Sequence, residues 1–440
     1  MRTSAGDGTT AIVIGAGIAG LATARILSDH FDRVTILERD RLPQEAVPRR
    51  GVPQGRHSHL LLAAGQRLLD GWFPGLADDL AASGAVPVHA SGLVWHQIGD
   101  YRVRSDLGFL AMSMSRALLE VTVRRRLRQQ APNVRVVDRT AVDSLIVVDG
   151  RVMGVLVDGV AHRADFVVAC SGRNTQVFDQ LAAQGFPAPE ISAVRIDMAS
   201  ASQVVRRKPD DLDGDLAVVI GGPANGHRVG TMVPVEGDRW IITLGSFFGE
   251  VPPDDPDEYQ AFARSLPAPA LADVLARAEP LTPVLTHRMR TNLRRHVERL
   301  DRNPPGFIAL GDAVCSLNPI YAQGMTSAAL QAQALGQALD RHGPTSPELA
   351  RAFYRRAGKA VDGPWRIAAG AYFADPRATG SKSTGAGLLN RYLDMVSRAC
   401  HTSLPVARQA LLVQNLLARP ESLLTPAMIL RVLLAVRRGG

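Results

Sequence analysis

Cysteine is scarce in this 440-residue chain. The three present, Cys170, Cys315 and Cys400, are odd in number and form no CxxC pair. That excludes a disulfide framework and a zinc site of paired cysteines, and it points to a reducing compartment. Lysine is almost missing as well: only Lys208, Lys359 and Lys382 occur, so arginine carries nearly all of the positive charge. The net charge of +8 comes from cations spread along the chain, not gathered into one stripe with aromatics. Nucleic acid is therefore not an expected partner. The arginine run 124–126 falls on an expected helix and reads as a solvated face. No uncharged stretch reaches the roughly 18–20 residues that a spanning helix needs. The first apolar run, Ala11–Ala24, is interrupted by glycines, unlike a signal peptide. Repeats and low-complexity tracts are missing too. The expected protein is cytoplasmic with no transmembrane segment, its oligomeric state left open.

What is present suits a folded enzyme-sized chain. A composition of 46% hydrophobic and 21% charged residues can bury a large core. The length fits two interleaved domains with a terminal extension. Residues 11–14, AIVI, read as a buried parallel strand. Gly15-Ala-Gly17-Ile-Ala-Gly20 follows directly, then the helical pattern LATARILSDH, then a second strand, Val34–Leu37, ending at Glu38. In that order each part has a physical task. Gly15 permits a tight turn, Gly17 lets the backbone approach a pyrophosphate, and Gly20 lets helix and strand pack closely. The helix N-terminus presents free N–H groups to the phosphates, and Glu38 is spaced to accept from an adenosine ribose.

This unit alone leaves FAD and NAD both open; residues 306–335 favour FAD. Phe307–Leu310 is another buried strand, ending at Gly311-Asp312, and after Pro319 and Gly324 a small-residue helix runs from about Met325 to Leu339. Asp312 is placed for a sugar-chain hydroxyl. The helix start near Gly324 is placed to face an isoalloxazine and to favour negative charge on the reduced ring.

Further stretches carry a resemblance. They are GAGIAG at 15–20, ERD at 38–40, RRGVPQGRHSHLL from Arg49, SMSRALLE at 113–120, VVACSGRNT at 167–175, DRWIITLG at 238–245 and GDAVCSLNPIYAQGM at 311–325. The sequence resembles the class A flavoprotein monooxygenases, which share the fold of para-hydroxybenzoate hydroxylase. Within them it is most similar to the polyketide epoxidases of polyether biosynthesis, of the lasalocid and monensin type. The resemblance implies that Gly15, Gly17, Gly20, Glu38 and Arg39 hold the adenosine diphosphate half of FAD. It also implies Arg116 at the phosphate and ribityl region, the backbone of Val142 at the adenine, and Gly311-Asp312 at the ribityl-phosphate chain. Pro319, Gly324 and Met325 would line the flavin ring, and the Val52–His59 loop, entered through Arg50 and Gly51, would lie beside it. Ala169 stands where relatives commonly have Asp, whereas Gly172-Arg173 follow the pattern.

The expected fold is α/β. A Rossmann-type FAD-binding domain (1–84, 111–185 and 285–344) interleaves with an antiparallel-sheet substrate domain (85–110 and 186–284), and C-terminal helices occupy 345–440. The Gly221–Gly226 stretch reads as a hairpin turn, since no helix follows it. His57 and His59 read as flavin-proximal groups rather than metal ligands, for want of companions at ligand spacing, and no metal is expected. Tyr321 and Trp95 are open between substrate contact and core. The basic amphipathic end reads first as packing on its own domain or a dimer contact, and second as a membrane contact. The implied chemistry is reduction of FAD by NADPH or NADH and formation of a flavin C4a-hydroperoxide. One oxygen then passes to a hydrophobic small molecule, free or bound to a carrier protein. No catalytic residue stands out. Alkene epoxidation leads, with aromatic hydroxylation or prenyl reduction as alternatives. A halogenase is disfavoured, because no WxWxIP motif occurs and no lysine precedes Lys208.

Overall fold

The β-branched runs TAIVI and RVTIL form neighbouring parallel strands, β1 (Thr10–Ile14) and β2 (Arg33–Leu37). The computed structural model describes residues 8–108, 110–221, 226–380 and 386–439. It completes this sheet with β3 (Val134–Val137), β4 (Phe166–Ala169) and β5 (Phe307–Ala309), in the order β5-β4-β1-β2-β3. Every pairing is parallel. Val13, Ile36, Val167, Val168 and Ile308 are fully buried, as a sheet covered on both faces requires. Helix α1 (Ile18–Leu27) packs against both α2 (Arg116–Gln130) and α3 (Gly324–His342), and α4 (Leu349–Gly370) packs on α3. Three separated stretches of chain thus build one Rossmann-type unit. A three-stranded meander, Ser144–Arg163, is attached after β3.

The middle of the chain, with its strand runs cut by Gly, Pro and Asp, forms a large antiparallel sheet. Leu285–Arg295, Ile191–Arg206, Arg239–Ser246, Arg228–Val235 and Ala217–Ile220 lie side by side in that order. Side chains alternate between its faces. Trp240, Ile242 and Leu244 pack with Tyr259, Phe262 and Leu271 of two outer helices, whereas Val233, Val235 and Ile241 meet Leu60 on the side of the parallel sheet. The expectation that 85–110 joins this sheet holds for Leu93–Gln97, which pairs in parallel with Ala217–Ile220. It fails for Val86–His89, which forms a separate ribbon with Leu110–Ser113. Pro87 has no N–H to give a ladder, which suits such an edge position. Strands Ala217–Ile220 and Arg228–Val235 pair antiparallel across the expected hairpin, while its residues 222–225 lie outside the described residues.

The arginine run is not a solvated face. Three successive residues span about 200° of a helix and cannot share one side. Arg124 is buried and donates to the Pro43 carbonyl, Arg126 pairs with Asp79 at 2.5 Å, and Arg125 alone is exposed. Beyond α4, helices Ala386–Ala399, Leu404–Gln414 and Pro426–Gly439 close a small core of their own around Val396, Cys400, Val406 and Val432. Among the described residues no helix is long and apolar enough to cross a membrane.

Candidate functional site

The turn from β1 to α1 has no room for a side chain at Gly15 or Gly20. Gly15 adopts a φ of +101°, and its carbonyl oxygen lies 1.8 Å from where a Gly20 Cβ would sit. The Gly15 amide is fixed by the Leu37 carbonyl at 2.8 Å, so the turn cannot back away. Gly17 caps α1 in extended conformation with no side-chain cap, which leaves first-turn amides free for an anion. A Cβ on Gly17 would be 3.9 Å from both Arg49 Nη2 and Arg116 Nη2. Two guanidinium groups and a helix N-terminus therefore converge on one point.

Carboxylates organise those arginines. Glu120, four residues after Arg116 on α2, accepts from Arg116 Nε and from Arg49 Nε, each at 2.9 Å. Arg49 also pairs with Asp40 at 2.9 Å and Glu38 at 3.4 Å. Burial by itself would raise the Glu120 carboxyl, but the charges of Arg116 and Arg49 outweigh it and hold the group below its ordinary value. Glu38 accepts from the amides of Ala16 (2.7 Å) and Asp40 (3.0 Å), which sets its carboxylate at the end of β2.

Of these groups Gly17, Glu38, Arg49 and Arg116 line a cavity of about 470 Å³, with Glu120 behind the two arginines. Asp312, Pro319, Gly324 and Met325 line the same cavity, and so do Ser58 and His59 on a facing wall. Asp312 follows β5, where burial pushes its carboxyl up against the pull of Arg116 and Arg173. Helix α3 starts with no side-chain cap, and the buried Gln323 Oε1 beside it has no hydrogen-bond partner. The loop between is fixed from three directions. Asn292 Oδ1 accepts from the Asn318 amide (2.6 Å), Asn292 Nδ2 donates to the Ala368 carbonyl (3.0 Å), and Tyr372 Oη donates to Asn318 Oδ1 (3.3 Å). An anion cradle of two guanidiniums and a free helix N-terminus, sharing one cavity with the uncapped start of a second helix at Gly324, fits an elongated dinucleotide such as FAD.

A chain of small polar groups joins the facing wall to the antiparallel sheet. His57 Nδ1 shares a hydrogen with Ser202 Oγ (2.7 Å), Ser202 Oγ with Thr243 Oγ1 (2.6 Å), and Thr243 Oγ1 with Ser58 Oγ (2.8 Å). Burial, helped by the neighbouring His287, pushes the His57 imidazole down to about 3. Burial likewise brings His59 to about 4, and its Nδ1 donates to the His57 carbonyl at 2.9 Å. Both rings are neutral at physiological pH. The thiols of Cys170 and Cys315 are pushed up to about 12 by burial, which makes them poor nucleophiles. Among the described residues, no group of three His, Cys, Asp or Glu side chains could hold a metal ion.

The structure brings Gly15, Gly17, Glu38, Arg39, Gly51, Val52, Arg116, Val142, Asp312, Pro319, Gly324 and Met325 to this cavity. Gly20 and Gly311 stand behind it as packing positions, a Gly311 Cβ meeting that of Ala19 at 3.0 Å. Arg50 departs from expectation: it is exposed and off the cavity, and Arg49 occupies the inner position because three carboxylates await it. Glu120 and Thr140 were given no role by the sequence; Thr140 lines the cavity, and in the 167–175 stretch Ser171 and Thr175 line it with their hydroxyls 2.7 Å apart. The spacing of Glu120 from Arg116, one helical turn, was the available signal. Trp95 lies under the Arg102 guanidinium, 3.8 Å from its centroid, and Tyr321 packs in the core; neither lines the cavity.

Parallel sheet, glycine turn and second segment after β5 define a flavoprotein of the kind built from a Rossmann-type FAD-binding domain interleaved with an antiparallel sheet. Residues 8–349 match the model of the FAD binding domain family, and the chain belongs to that family. It is 35% identical over 378 residues to "Protein Rv3254" of Mycobacterium tuberculosis, covering 81% of this chain and 78% of that one. The fold is similar to that of the flavin-dependent brominase Bmp2 (TM-score 0.68, 15% identity, 98% of this chain and 100% of that chain). It is also similar to that of PqsL, a probable FAD-dependent monooxygenase from Pseudomonas aeruginosa (TM-score 0.59, 17% identity, 91% and 98%).

Proposed function

We propose that the protein is an FAD-dependent monooxygenase. In this reading it uses NADPH or NADH and O₂ to place one oxygen atom in a hydrophobic natural-product intermediate, most readily by epoxidising an alkene. FAD, when bound, supplies the hydride and oxygen chemistry. The chain's own residues do the rest. Gly17, Arg49 and Arg116 would hold the diphosphate, Glu38 the ribose and Asp312 the ribityl chain. The N-terminus of α3 would favour negative charge on the ring. The buried sheet face with Leu60 and Val233 would keep water out. The observation that carries the epoxidation reading is the lack of a strong base or nucleophile on the facing wall, where His59 is neutral and Ser58 has no charged partner. An alkene attacks electrophilic oxygen without needing either. NAD(P)H would bind transiently, since the described residues contain a single parallel sheet.

One observation favours a second reading. The His57–Ser202–Thr243–Ser58 chain could carry a proton away from a phenol, as aromatic hydroxylation requires. The likeness to the brominase bears on fold alone, and the lack of a lysine before Lys208 speaks against halogenation. The test is product analysis by the flavin-loaded protein with NADPH, a polyene and a phenol under ¹⁸O₂. An epoxide containing one ¹⁸O supports the first reading and a labelled catechol the second. Flavin oxidised by substrate without O₂ would overturn both.

A further inference from the structure

We propose that the helix Pro426–Gly439 seats the protein on an anionic lipid surface. The proposal is independent of the chemistry assigned above. The helix has two unlike sides. Met428, Val432 and Ala435 are buried and fill the small core beneath it. On the other side Leu430, Leu433 and Leu434 are 57%, 42% and 44% exposed, and Arg431, Arg437 and Arg438 are exposed as well. At about 100° per residue, Arg437 and Leu430 fall at the middle of the exposed arc, opposite Met428, Val432 and Ala435. Leu433 lies to one side of them, and Leu434, Arg438 and Arg431 follow in turn on the other. Leu424, 43% exposed, extends the apolar surface just ahead of the helix.

Single exposed leucines need no explanation. An exposed face that sets three leucines among three arginines is different, and its charge selects the occupant. No acidic residue occurs between Glu421 and Gly440, and Glu421 itself pairs with Arg366. A second copy docked face to face would bring arginines against arginines, with no carboxylate on the face to offset them. A bilayer with anionic headgroups supplies the opposite charge to these arginines and an apolar boundary to the leucines between them. The arginine stems can lie along that boundary while their heads stay among phosphates. At 14 residues the helix is too short to span, so the contact is one of lying on the surface.

The test is co-sedimentation of the flavin-loaded full chain with vesicles of phosphatidylglycerol and phosphatidylcholine, and with phosphatidylcholine alone. Preference for the anionic vesicles is expected at about fivefold per arginine, or roughly a hundredfold for three, and it should shrink with added salt. Leu430→Ser/Leu434→Ser should abolish binding with only a small drop in the thermal midpoint, because both side chains are about half exposed. Light scattering on the same samples reports oligomeric state. Equal binding to both vesicle types, or none, overturns the proposal. So does a dimer that Leu430→Ser/Leu434→Ser converts to monomer, which would assign the face to a second copy.

Discussion

Glu120→Gln is the substitution that most directly probes the anion cradle. The side chain is 6% exposed and joins Arg49 and Arg116, themselves 7% and 11% exposed. Removing one partner of a buried ion pair typically costs about 3–5 kcal/mol, because a charge is left without compensation. Arg49 keeps Asp40 and Glu38, so most of the loss falls on Arg116, and the lower end, about 3 kcal/mol, is expected for the flavin-free protein. A bound diphosphate would return negative charge to both guanidiniums. The flavin-loaded variant should therefore lose only about 1–2 kcal/mol, and FAD should stabilise the variant more than the parent by the difference. Urea unfolding of stripped and loaded protein, parent and variant, gives all four numbers. Equal losses with and without flavin would refute the reasoning, since they would mean that the arginines do not face the cofactor.

Two other outcomes are expected. His57 and His59 titrate near 6.5 when unfolded but at about 3 and about 4 in the fold, because burial disfavours their charged forms. The unfolded chain then binds more protons below pH ~6.5, so stability is full above that value and falls on acidification by up to about 1.4 kcal/mol per pH unit for each ring. His57→Gln should make the acid slope of the urea midpoint between neutral and mildly acidic pH visibly shallower, and an unchanged slope would contradict the assignment. Gly20→Ala should cost about 3 kcal/mol or more and release flavin, since its Cβ would lie 1.8 Å from a pinned carbonyl. Gly71→Ala, in an exposed helical position with nothing within 4 Å, should instead stabilise by up to about 1 kcal/mol in thermal unfolding, and serves as the control.

What the sequence made legible was chemistry compressed into short stretches. Strand, glycine turn, helix and Glu38 occupy under thirty residues, and their spacing can serve little else; Asp312 and the start of α3 are legible for the same reason. What stayed hidden depends on groups that meet only after folding. Arg49 and Arg50 are adjacent in a loop without periodicity, and the choice between them is made by Asp40, Glu38 and Glu120 from separate parts of the chain. The burial of Arg124 and the pairing of Arg126 depend on the Pro43 loop and Asp79, which no local pattern announces. The hydroxyl chain from His57 to Ser58 joins residues up to 185 positions apart. Val86–His89 alternates like its neighbours, and strand pairing alone separates it from them.

The amide of Asn292 bears on how far this architecture can be taken apart. Through that one side chain a strand of the large sheet holds both the loop ahead of α3 and the carbonyl of Ala368 in α4. Tyr354, on the same helix, hydrogen-bonds the Ala309 amide in β5 through its hydroxyl. Helix α4 is thus a buttress for the loop ahead of α3, not an appendage. The protein is modular in its list of elements but not in its mechanics, and a fragment ending before residue 349 would keep every glycine of the cradle while losing the brace behind the loop ahead of α3.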